Sequence, residues 1–344
     1  MINLSSFSIT PKRVLQILAA VTIVSILLIL IFLQYTQKTI SPASVSQNPP
    51  PQIPQDPKQQ QPGAINIQAQ FPPLPDELPT YEAETLSLPE TSYKNIALNF
   101  GISSAPSYIA DTTDGKQYNW LPQNVVLAVS QTKLRYENNN SLNPSTTNLS
   151  ETELQNKALQ FLEKISYLDK NIQLNPNETA YLNIQSGRYI SASALSGAQF
   201  VQFKYYKDLS SYPLYFGPPS VAYTEIRLKK DGTVTFLNSM IFKDFTQARS
   251  YQLKDREVAE KELRSGQGRV VQTIIPDENG KAFELIRTQP FDMNTLTIKN
   301  ITLGYYMERE VAKPIQPIFI FEGEFTNALN QSGKAYVYLP ALTN

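Results

Sequence analysis

SETELQNKALQFLEKISYL, from Ser150 to Leu168, is the stretch on which the fold class turns. Ser150 and Glu153 have capping-box spacing, so each side chain can satisfy the other's free backbone amide at a helix start. Leu154, Ala158, Phe161, Leu162, Ile165 and Leu168 then recur at helical spacing and predict an amphipathic helix. Beyond it the apolar period changes. Strands are predicted around 181–190, 200–207, 222–229 and 233–240, with Lys230-Asp231-Gly232 as a hairpin turn because Asp-Gly accepts positive φ at little cost.

The same order, a helix and then strands, is read on either side. Upstream, a short helix over 93–100 precedes strands near 117–121, 125–130 and 133–136. Downstream, Asp255 reads as the N-cap of a helix reaching Leu263, and Gly266-Gln-Gly268 follows a helix, a place that suits a stop signal better than a phosphate cradle. Strands near 269–275, 282–287, 297–308, 315–325 and 334–339 complete the chain, with Asn279-Gly280 as a further turn. Helices separated by antiparallel meanders predict an α+β fold built from tandem helix-plus-antiparallel-sheet units at 91–145, 146–245 and 246–344.

Residues 36–90 read as a disordered proline- and glutamine-rich linker. Of the 25 prolines, 12 fall between Pro42 and Pro89, and such composition favours extended backbone over a core. Before it, Val14 to Leu33 run without a charge (VLQILAAVTIVSILLILIFL), and twenty helical residues span roughly 30 Å, a bilayer's apolar thickness. The expected layout is a cytoplasmic stub at 1–13, a transmembrane helix at 14–35 and an extracytoplasmic remainder, since Lys12 and Arg13 flank the inner end.

Composition excludes much chemistry. With no histidine and no cysteine there is no Ser-His-Asp or Cys-His catalysis, no imidazole or thiolate metal site and no disulfide. Thirty basic and thirty acidic residues balance, so nothing points to nucleic acid. Ser130-Gln-Thr-Lys133 has the Ser-x-x-Lys spacing of a penicillin-binding nucleophile but lacks Lys-Thr-Gly, so chance is the better account. Glu308/Glu310 and Glu322/Glu324 place paired carboxylates on a strand face, and a solvated face explains them better than acid–base work. Asp111-Thr-Thr-Asp114-Gly115 falls short of a calcium loop and reads as a turn. No catalytic, cofactor or metal residue is assigned. One segment invites a partner: Tyr206, Tyr212, Tyr215 and Phe216 crowd a turn-rich stretch, where they either form a binding surface or cover a sheet edge.

Across residues 200–340 the chain resembles the YycH/YycI-type regulatory proteins of bacteria. The matching residues are Phe203-Lys-Tyr-Tyr206 with Tyr212-Pro-Leu214, and Tyr251 through Ala259 with Leu263 and Gly266-Gln-Gly268. Ile301-Thr-Leu-Gly-Tyr-Tyr306, Ile315 through Phe325 and Lys334-Ala-Tyr-Val-Tyr338 complete the match. The resemblance implies a PepSY-like α+β domain outside the membrane that binds a membrane sensor kinase without catalysis. The expected function is therefore an interaction or regulatory protein, with the membrane itself (through Val14 to Leu33) and a sensor kinase or other envelope protein as partners. A cell-wall hydrolase using paired carboxylates and a passive envelope module are the alternatives.

Overall fold

The computed structural model describes residues 62–343, except 113–114, 142–146, 166–167, 170, 277–281, 286–292 and 309–313. In chain order these are β1 (Ala64–Ile67), β2 (Glu77–Glu84), α1 (Glu90–Asn99), β3 (Tyr108–Thr112), β4 (Gly115–Trp120), β5 (Val125–Val129) and β6 (Lys133–Asn138). Then come α2 (Glu151–Lys164), β7 (Ile172–Leu174), β8 (Ala180–Gln185), β9 (Arg188–Ser191), β10 (Phe200–Leu209), β11 (Tyr212–Tyr215), β12 (Thr224–Lys229) and β13 (Val234–Met240). Last are β14 (Asp244–Gln252), α3 (Arg256–Arg264), β15 (Arg269–Pro276), β16 (Ala282–Leu285), β17 (Met293–Tyr306), β18 (Gln316–Asn327) and β19 (Ser332–Pro340).

Seventeen of these strands join in one mixed sheet, and β2 and β14 form a separate two-stranded ribbon. The larger sheet has two regions. In the first, β3-β4-β5-β6-β13-β12-β10 pair antiparallel in that order; β7 and β8 share the other edge of β10, and β9 pairs with β8. The second runs β16-β15-β19-β18-β17, antiparallel, and the far edge of β17 takes β1 and β11, both parallel. The β10–β11 hairpin connects the two regions.

Each helix covers one sheet face through a stripe spaced three or four residues apart. Tyr93, Ile96 and Ala97 of α1 and Leu154, Ala158 and Leu162 of α2 bury against Trp120, Leu127, Leu134, Phe203 and Ile226. The capping box of α2 is present: Ser150 Oγ accepts from Glu153 N, and Glu153 Oε2 accepts from Ser150 N. Ala259 and Leu263 of α3 pack on the second region against a core that includes Leu296, Phe319, Phe321 and Val337.

This architecture corrects the α+β expectation. Among the described residues strands dominate, the helices are short (10, 14 and 9 residues), and the sheet crosses the boundaries drawn at 145 and 245. There is no series of self-contained PepSY-like helix-plus-sheet units: β6 pairs with β13 across the first boundary, and β11 pairs with β17 across the second. Residues placed in the linker also contribute. β1 binds β17, β2 binds β14, and Leu78 and Tyr81 are buried, because proline excludes an interior helix but leaves edge strands open. The expected span from Val14 to Leu33 lies outside the described residues; among those described, no helix is long and apolar enough to cross a membrane. The transmembrane, single-pass layout drawn from the sequence is therefore absent from the described fold.

Register in the second region is guarded by a glycine. A Cβ on Gly323 of β18 would stand 2.7 Å from the Thr297 carbonyl oxygen and 2.9 Å from Leu296 Cδ1. Backbone held in a ladder cannot retreat, so Gly323→Ala is expected to cost about 1–3 kcal/mol. A lower urea midpoint at unchanged slope is the predicted reading; an unchanged midpoint contradicts this packing.

Candidate functional site

The four aromatic residues singled out in the sequence sit at the corner where the two sheet regions meet. Ser210 and Ser211 turn the chain with φ of 47° and 69°, the doubly left-handed geometry of a tight hairpin. Side chains alternate along a strand, so the short return strand β11 divides the aromatics between two faces. Tyr212 and Phe216 join Leu214 in a cluster with Tyr81, Tyr223, Phe242 and Tyr305. Within it Phe216 stacks on Phe242 with ring centroids 6.0 Å apart, and Tyr212 meets Tyr305 edge-on at 6.4 Å. Tyr215 turns the other way, toward Tyr338 at 6.1 Å.

Tyr206, one hairpin arm earlier, belongs to a polar knot. Its hydroxyl donates to Glu178 Oε2 at 2.6 Å, Lys204 Nζ lies 3.4 Å from the same oxygen, and Lys204 Nζ also donates to the Ser220 carbonyl at 2.9 Å. Nearby, Lys207 pairs with Asp169 at 2.8 Å, with side chains only 12% and 14% exposed. Tyr338 ties the 216–222 connection down by donating to the Gly217 carbonyl at 2.9 Å, and Gln272 Nε2 reaches Ser220 Oγ at 2.8 Å.

Electrostatics fixes what these phenols can do. Burial holds the Tyr206 phenol far above its usual range, and its bond to the Glu178 carboxylate reinforces the shift. Burial likewise pushes Tyr215 up to about 12 and raises Tyr205, Tyr223, Tyr305 and Tyr338. At neutral pH the seam is a row of protonated donors. It offers no phenolate base or nucleophile.

Ser130, Glu322 and Gly266 among the other sequence candidates are engaged locally. Ser130 Oγ accepts from the backbone N–H groups of Thr132 and Lys133, which makes it the cap of the β5–β6 turn. Glu322 lies 3.3 Å from Lys334 Nζ and 3.4 Å from the Tyr336 hydroxyl on a half-exposed face, and Glu324 is exposed beside it. Asp111 stands in the exposed strand β3; Asp114 and Glu310 lie outside the described residues. Gly266 has φ +80°, and Gly266 N and Gln267 N bond the Leu263 and Glu262 carbonyls, so this glycine ends α3. Among the described residues, acidic side chains nowhere gather in threes to hold a metal ion. Sequence reasoning passed over Glu178, Lys204 and the Lys207–Asp169 pair, because single charges in strands and turns give no spacing signal.

No family model and no curated protein matches the chain. Among solved structures, it is similar to the crystal structure of an uncharacterized protein from Eubacterium rectale, over 81% of this chain and 89% of that one, at 11% identity and a TM-score of 0.47.

The raised phenols make stability sensitive to alkali. An unfolded tyrosine loses its proton near pH 10 while the seam phenols retain theirs, so the unfolded chain binds fewer protons above that pH. Their contribution is fully present below about pH 10 and is lost as pH rises toward the folded values. Urea midpoints are expected to fall from about pH 10 upward, with part of the phenolate absorbance appearing only on unfolding. Phenolate absorbance that develops fully in the folded state would contradict the burial described.

Proposed function

We propose that this chain is a non-catalytic interaction protein of a cell envelope, and the carrying observation is the open edge of β3. That strand pairs with β4 on one side, and among the described residues no strand pairs with the other. An unpaired edge presents backbone donors and acceptors to an incoming strand. Here the edge also carries apolar side chains: Tyr108 and Ile109 are 51% and 49% exposed, and Leu121 in the loop after β4 is 48% exposed. Protective edges are short or bear charge, proline or a bulge; the five-residue β3 carries one charge, Asp111, and no lysine, proline or bulge.

Two further considerations support the reading. Ser130 and Glu322, two of the side chains weighed for catalysis, are held in structural bonds, and the buried phenols stay protonated. The YycH/YycI-type resemblance implies a membrane sensor kinase, or another envelope protein, as the partner. The charge-free run from Val14 to Leu33 is the feature that would hold the chain at the membrane, with its C-terminal part outside the cytoplasm. In this reading a partner strand extends the sheet at β3 and the aromatic seam keeps the two sheet regions aligned behind it.

Photo-cross-linking in intact membranes tests the reading. With a photoreactive residue in place of Tyr108 or Ile109 of the full chain, one discrete adduct with another membrane protein is expected. None is expected at Leu329, which is 78% exposed on the far β18–β19 turn. Equal labelling at all three positions would refute the edge as a docking site. Hydrolysis of cell-wall glycan abolished by Glu322→Gln would refute the non-catalytic part.

A further inference from the structure

A second feature, sharing no residue with the aromatic hairpin or β3, is a cleft of about 300 Å³ between the end of α1, the outer stripe of α2 and the β12–β13 turn. That is the lower end of the size range of small-molecule sites. Three aromatic rings line it: Phe100 lies 4.5 Å from Tyr136 and 5.5 Å from Phe161, centroid to centroid. Lys157 and Lys164 and the amide-bearing Asn99, Asn138 and Gln160 also line it. None of the described lining residues is acidic.

Two carboxylates beside the cleft make other bonds, although Glu153 also feels the Lys157 charge. Glu153 Oε2 accepts from both the backbone and the hydroxyl of Ser150, at 2.8 and 2.7 Å. Asp231 Oδ1 accepts from Thr233 N at 2.8 Å, and its Oδ2 lies 3.6 Å from Lys229 Nζ. Both lysines are exposed, and the Lys157 stem packs over the β12–β13 turn. Gly232, at φ +87°, lies so close under the Lys157 stem that a Cβ there would fall 2.2 Å from Lys157 Cδ. Asn138 is held by a bond from the Asn140 amide to its Oδ1 at 3.0 Å.

Two ammonium groups suit an anion, aromatic rings suit the C–H face of a sugar ring, and amides that both donate and accept suit hydroxyls. We infer that this cleft binds an acidic sugar unit, a hexose-type ring bearing a carboxylate or phosphate, either free or as part of an envelope polymer. A hydroxyl-poor aromatic anion would leave the amides without partners, which is costly where water is displaced. This site is distinct from the protein-docking edge at β3, so either reading can fail without the other.

Calorimetric titration of the full chain in detergent micelles with glucuronate tests the inference. Saturable binding is expected, with a dissociation constant on the order of 1 mM for so small a ligand. Glucose is expected to bind at least about tenfold more weakly, and the double variant Lys157→Gln/Lys164→Gln to lose about tenfold for glucuronate with an unchanged circular-dichroism spectrum. Phe161→Leu, which keeps both charges, is expected to weaken binding as well. Tri-galacturonate binding more tightly than glucuronate would identify a polymer as the source, and equal affinity would identify the free sugar. Absence of saturable heat, indifference to the double variant, or inorganic phosphate competing as well as glucuronate would overturn the inference.

Discussion

The far edge of β17 is the constraint on which the rest of the molecule depends. One edge of this 14-residue strand is paired with β18 along most of its length, and the other is shared by two strands from distant parts of the chain. Ala64–Ile67 dock parallel on residues 295–298, and Leu214 and Tyr215 dock parallel on Tyr305 and Tyr306. A register irregularity between Ile298 and Asn300 separates the two docking sites. Such an irregularity increases the local twist of the strand between the two sites. Gly304 permits the second docking: a Cβ there would lie 2.9 Å from Tyr215 Cε2 and 3.0 Å from the Pro213 carbonyl oxygen. Because β11 is also the return arm of β10, this edge holds the two sheet regions in one frame.

The parts of this frame that sequence made legible are the local ones. Ser150 and Glu153 announce α2, Asp255 caps α3 by accepting from Val258 N, and Lys230-Asp231-Gly232 turns as its composition requires. The seam was visible only as an aromatic cluster. Its decisive strand is short, contains Pro213 and follows a Ser-Ser turn where Asn-Gly would have been the recognisable signal. The strands β1 and β2 are hidden for a related reason: their stability comes from pairing with residues more than 150 positions away, and a four-residue stretch such as Ala64–Ile67 carries no trace of that partner. Reading helices as the organisers of separate units followed from local signals; the long-range ladders override it.

The chemistry follows from the same frame. Burying hydroxyl-bearing rings at the corner aligns two sheet regions and keeps the phenols protonated, so the most aromatic part of the chain acts as a joint. Tyr205, Tyr223 and Tyr305 have hydroxyls without a partner in the described structure, a cost that a corner packed mainly for shape can carry. Two further surface features lie away from it, at the β3 edge and beside α2.

Hydrogen exchange measured by mass spectrometry on the full chain addresses the central point, that the β11–β17 contact unites the sheet regions. Met307 N bonds to the Tyr215 carbonyl at 2.9 Å beside that contact. Under native conditions, peptides covering β10–β11 and peptides covering β17–β18 are expected to exchange together, at the slow rate set by global unfolding. Fast, independent exchange of the hairpin while β17–β18 stays protected would show that the regions are merely adjacent, and would contradict the account.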